Sequence, residues 1–144
     1  MTYSIAALQS LAASVGFPPQ AVPIAAAVAM AESQGNPSAS CINCLGVTER
    51  SFGLWQINTL AHPQYNETSL LQPVYNAQAA LAVSSNGTNW TPWSTYTSGK
   101  YKQYLQPYTP GWSFGQVLAL GIAAVGVGVA VHYIPYKMKP RWLR

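Results

Sequence analysis

The chain has 144 residues, 49% hydrophobic and 7% charged, with a formal net charge of +4. Such a length fits one small domain with an appendage, and the apolar and aromatic content excludes a disordered chain. Arg50, Lys100 and Lys102 balance the three acids Glu32, Glu49 and Glu67, so the excess lies in Lys137, Lys139, Arg141 and Arg144, which argues against a nucleic-acid-binding surface on the body.

The first element is "SIAALQSLAAS" at 4–14, where Ile5, Leu8, Leu11 and Ala12 recur at helical spacing. Gly16 ends that helix and "FPPQ" resets the chain. A second helix is expected from about Gln20 to Ser33, with Pro23 tolerated because it falls in the first turn. Gly35 is a natural C-terminal cap and Pro37 prevents continuation. A looped region follows over 36–52, then "GLWQI" at 53–57 as a short buried segment. "PVYNAQAALAVSS" at 73–85 reads as a helix with proline at its start, ended by Gly87. A loop carries Trp90 and Trp93, and 99–106 reads as a short last helix. No strand pattern is strong, so the expected fold class is all-α.

"PYTPG" at 107–111 reads as a linker, and residues 112–134, "WSFGQVLALGIAAVGVGVAVHYI", contain no Lys, Arg, Asp or Glu. An uncharged apolar run of about 20 residues spans a bilayer as a helix. Trp112 lies at one end, Tyr133 and Tyr136 at the other, as an aromatic belt requires. The expected organisation is therefore a helical domain at 1–108, a linker at 109–111, a single C-terminal transmembrane helix at 112–134 and a basic tail at 135–144. The positive-inside rule sets the tail on the cytoplasmic side and the domain on the other. The N-terminal "MTYSIAALQSLAASVGF" has no basic n-region and is not a secretory signal. A viral particle that carries or ejects the protein is one way for the domain to cross.

Three stretches stand together in the body: "AESQGNP" (31–37), "RSFGLWQIN" (50–58) and "TPWSTYTSGKYKQYL" (91–105). Over residues 4–106 the chain resembles the lysozyme superfamily, and most closely the lytic transglycosylase domains of bacteriophage particles, which are of goose-type or soluble lytic transglycosylase kind. The resemblance implies Glu32 as the catalytic acid at the C-terminal end of a helix. It implies Ser51, Gly53 and Gln56 as a second motif, and Tyr96 within "WSTYTSG" as a late tyrosine.

The chemistry fits on its own terms. Cleaving a β-1,4 glycosidic bond needs a carboxylic acid that keeps its proton near neutral pH. Glu32 follows an alanine-rich helix, where burial and the negative helix end both disfavour the carboxylate. In the lysozyme-like arrangement that the resemblance implies, the second carboxylate of a hydrolase would fall where this chain has Ser51. Its absence there favours a different second step, and the transglycosylase resemblance implies closure of the muramic acid C6 hydroxyl onto C1, which gives a 1,6-anhydro sugar without water. Glu49 keeps hydrolysis as the alternative; its bland role is an ion pair with adjacent Arg50 or a solvated loop charge. Ser51, Gln56 and Asn58 offer uncharged hydrogen bonds to N-acetyl and hydroxyl groups. Gly53 admits a sugar ring or a close turn. Tyr96 is suited to hold Glu32 or the substrate N-acetyl group. Trp55, Trp90, Trp93 and Tyr101 either stack on sugars or fill the core, with two of the four expected in the core.

Cys41 and Cys44 form "CINC", which supplies too few ligands for a structural zinc site. A local disulfide and a pair of free thiols both stay open, since the redox compartment is not legible. His62 is expected to cap or pack. No metal or cofactor is expected. The expected function is a peptidoglycan lytic transglycosylase that lets a phage pass the cell wall, membrane-anchored in the virion with its catalytic domain on the non-cytoplasmic side. Its partners are peptidoglycan strands, a membrane through 112–134, and other virion proteins. The alternatives are a hydrolase using Glu49, a noncatalytic wall-binding module of a membrane-spanning tube, and a holin-like membrane-permeabilising protein.

Overall fold

A computed structural model describes residues 1–110, apart from the side chain of Leu45. Helix α1 runs Ile5–Ser14, where the Ser4 hydroxyl caps it by accepting from the Ala7 N–H at 3.2 Å. It buries Leu8, Gln9 and Ala12. Helix α2 runs Val22–Ser33 with proline in its first turn. Its residues Ala25 to Ala29 are all buried, as expected of a helix apolar on every side. The helix stops because Gln34 and Gly35 both take left-handed φ values, 54° and 73°. Gly35 has no alternative, since a side chain there would strike the Tyr3 backbone.

The turn after α2 leads into a small sheet. Strands β1 (Ser40–Ile42), β2 (Arg50–Phe52) and β3 (Ile57–Asn58) pair antiparallel in the order β1-β2-β3. Ser51 stands opposite Cys41 on one side and Asn58 on the other. This corrects the all-α expectation: the body is helical with a three-stranded antiparallel sheet. Strands of two or three residues are too short to show alternation, and "GLWQI" is in fact a tight turn joined to β3.

Four more elements complete the body. Helix α3 is Glu67–Leu70, capped by Asn66, and α4 is Pro73–Val83. Helix α5 is the short Ser94–Thr97, followed by a 3-10 helix at Lys100–Tyr104 where a short last helix was expected. Residues Met1–Thr109 form one compact unit. Among the described residues no helix is long and apolar enough to cross a membrane. The run 112–134, expected as a transmembrane helix, lies outside the described residues.

The core is organised by tryptophans. Trp55, Trp90 and Trp93 are 0%, 3% and 4% exposed, so three of the four aromatic residues considered for sugar stacking belong to the core. Buried indole N–H groups need partners, and these find them in backbone carbonyls. Trp55 Nε1 donates to Ala25 O of α2 at 3.0 Å, and Trp93 Nε1 donates to Trp55 O at 2.7 Å. Helix α2, the turn before β3 and the start of α5 are thereby tied into one frame.

Candidate active site

Glu32 lies in the last turn of α2, half-buried. The frame just described brings α5 against it. Two residues beyond Trp93, the Thr95 hydroxyl donates to Glu32 Oε1 at 2.6 Å. The Glu32 carboxyl titrates above the usual carboxylate range. Burial is the largest cause, since it penalises the charged form. The Thr95 hydroxyl and its backbone N–H pull the other way, as does the positive charge of Lys100. The negative charge of Glu49 pushes up again, so Glu49 is close enough to act on Glu32. The balance is upward, the direction that a proton-donating carboxylic acid needs.

Glu49 precedes β2 and is half-buried. The Ser51 hydroxyl, fully buried, donates to Glu49 Oε1 at 2.6 Å. Residues two apart on an extended chain share a face, which is why Ser51 reaches Glu49. Arg50 turns away instead, and its guanidinium grips Glu67 by two bonds of 2.5 and 2.6 Å. The Thr59 hydroxyl adds a third bond to Glu67. The ion pair considered for Glu49 with its neighbour is thus taken by Glu67.

The other residues of the second motif have structural partners. Gly53, at φ 78°, packs so closely on the Leu70 carbonyl and the Asn76 amide that no side chain fits. This is a close turn, braced by Asn76, which accepts from Trp55 N and donates to Phe52 O. Gln56, also at positive φ, donates to Ala39 O at 3.1 Å and Gly53 O at 2.8 Å. Asn58 accepts from Leu60 N at 2.9 Å. Gln56 and Asn58 line a cavity of about 220 Å³ with His62, Pro92 and Trp93. Neither Glu32 nor Glu49 lines it, so the site is assigned from the carboxyl groups and not from that hollow. Tyr96 stacks on Tyr101 with centroids 4.6 Å apart and leans on Trp90. Tyr101 is raised above the usual phenol range, first by burial and then by Tyr96.

Cys41 and Cys44 are joined as a disulfide. Cys41 Sγ lies 3.4 Å from Glu49 Oε2, a contact and not a hydrogen bond, because a bridged sulfur carries no proton. The two sulfurs and a Glu49 oxygen lie within 4.8 Å of one another, the arrangement among the described residues nearest to a metal-ligand set. In the disulfide form the sulfurs are not thiolates, so they do not offer that set.

Thr95 is the functional residue that sequence reasoning missed. It stands next to Tyr96 inside the quoted late motif, so the segment was legible and the residue was not.

A family model described as a lysozyme-like domain matches residues 9–95. The chain belongs to the lysozyme-like domain family. The match spans Glu32, Glu49, Ser51, Gly53, Gln56, Asn58 and Thr95, and stops one residue short of Tyr96. Membership sets the chain among enzymes that act on peptidoglycan. No curated protein matches it.

Proposed function

We propose that this lysozyme-like domain is a lytic transglycosylase that cuts the β-1,4 bond between N-acetylmuramic acid and N-acetylglucosamine. The observation that carries the reading is the half-buried Glu32 at a helix end, with its carboxyl raised by burial and held by Thr95. Glu32 gives its proton to the bridging glycosidic oxygen as the C1–O bond breaks. The C6 hydroxyl of the same muramic acid then bonds to C1, and its proton passes to the Glu32 carboxylate. The acid is restored and the product is a 1,6-anhydro sugar, with no water consumed. Gln56, Asn58 and Tyr96 are proposed to line the sugar's path, with the buried Ser51 holding Glu49 beneath it and Gly53 shaping the turn.

Hydrolysis is a second reading, and Glu49 favours it. Its carboxylate acts on Glu32, is fixed by Ser51, and is not neutralised by Arg50. A carboxylate so placed can take a proton from water attacking C1.

The biological setting rests on sequence: local wall penetration by a phage particle, with the uncharged run 112–134 and the basic tail attaching the protein to a lipid bilayer and the domain held on the non-cytoplasmic side. Other virion proteins are its proposed partners. Mass spectrometry of purified peptidoglycan digested by the full chain separates the two reactions. Anhydromuropeptides support the transglycosylase, and reducing-end products one water heavier replace it with the hydrolase.

A further inference from the structure

We infer that the β1–β2 hairpin, pinned by the Cys41–Cys44 bridge and the Ser51 hydroxyl, holds Glu49 as a positioning residue for Glu32, so that reducing the bridge weakens glycan cleavage. The inference rests on Glu32 being the proton donor.

The hairpin shows how Glu49 is fixed. Asn43 lies between the two bridged cysteines, in the left-handed conformation at φ 50°. Its N–H donates to Glu49 O at 2.8 Å, and its side-chain oxygen accepts from Glu49 N at 3.2 Å. The backbone of Glu49 is therefore clasped from both sides by a residue that the bridge encloses. Its carboxylate is fixed separately, one oxygen by Ser51 and the other against Cys41 Sγ. Opening a four-residue loop of this kind frees Asn43 first and Glu49 with it.

What Glu49 does there follows from charge. The groups acting on Glu32 are Glu49, Lys100 and the two donors of Thr95. Glu49 alone among them opposes ionisation of the acid. Holding a carboxylate at fixed range keeps the Glu32 proton in place at higher pH, whichever route the sugar then takes. Reduction by a dithiol adds two electrons and two protons to the bridge, giving two thiols, while the dithiol closes to its own disulfide. Both cysteines are half-buried, within reach of a small reductant.

The test is the pH–rate profile of peptidoglycan cleavage by the full chain. It compares wild type, Glu49→Gln, Ser51→Ala, Cys41→Ser/Cys44→Ser, and wild type with dithiothreitol. Each protein is checked by circular dichroism for the wild-type fold. The alkaline limb, set by loss of the Glu32 proton, should move to lower pH in Glu49→Gln. It should move the same way, by less, in Ser51→Ala and both bridge-free forms. A limb that stays in place in Glu49→Gln overturns the inference, even where the rate falls equally at every pH. If the serine pair fails to fold, dithiothreitol and Glu49→Gln decide. Wild type that cuts, with Glu32→Gln inactive and the limb unmoved, removes this inference alone. Wild type that cuts nothing removes the function beneath it.

Discussion

The Thr95 hydroxyl donates to Glu32 Oε1 at 2.6 Å, joining two residues 63 positions apart. The bond serves two ends that conflict. It fixes the acid's orientation, and it favours the charged form that the acid must avoid before reaction. Burial outweighs it, so the Glu32 carboxyl stands above its ordinary value.

Thr95→Val separates these effects. Losing the hydroxyl removes a contribution that lowers the Glu32 pKa, so the alkaline limb of the pH–rate profile should move to higher pH. The unheld acid should also cleave roughly tenfold more slowly at its optimum. Thr95→Ser should recover both. A steady-state profile of the three proteins checks this, and a limb displaced to lower pH by the valine would contradict it.

Glu32 should also weaken the fold. Its carboxyl pKa is raised in the folded state, so its favourable contribution is complete below the unfolded value of 4.5 and is lost as pH rises through the folded one. Glu32→Gln should therefore melt higher than wild type at neutral pH, with the gap closing toward pH 4. Thermal unfolding at several pH values reads this directly, and a mutant less stable at pH 8 than wild type would count against a strained acid.

The Arg50–Glu67 pair works with the opposite sign. Hydrogen bonding from Arg50 holds the Glu67 carboxyl below its usual range. Its contribution is present above pH 4.5 and fades as pH falls through the lower folded value. The pair is solvent-exposed, so Glu67→Gln should change stability little and cleavage hardly at all. Melting and activity measured together at pH 7 check it; a large loss of activity would place Glu67 in the site.

Asn76 is the reverse case, fully buried and bonded to backbone alone. It partners Trp55 N and Phe52 O. Asn76→Ala should orphan both and destabilise by roughly 3 kcal/mol. Urea unfolding of the two proteins measures it, and a change under 1 kcal/mol would mean that water satisfies those groups.

The sequence announced its helices where punctuation was strong. Pro23, Gly35, Pro37 and Gly87 bracket α2 and α4 closely, because backbone chemistry at those positions leaves few choices. Glu32 was legible for the same reason, as a charged residue at an abrupt helix end. The sheet was not, since β1, β2 and β3 are too short to carry a period and are defined by long-range hydrogen bonds. Nor was Arg50's choice of Glu67 over adjacent Glu49, which depends on which face of β2 each side chain takes. Thr95 reaches Glu32 only through the Trp55–Trp93 frame, and no local pattern encodes that.

The most direct test of the account is release of glycan fragments from purified cell walls by the full chain, beside Glu32→Gln of equal fold and concentration. Wild type should release fragments, and the mutant's rate should fall about a hundredfold or more. Equal release by both proteins would contradict the assignment of Glu32 as the acid.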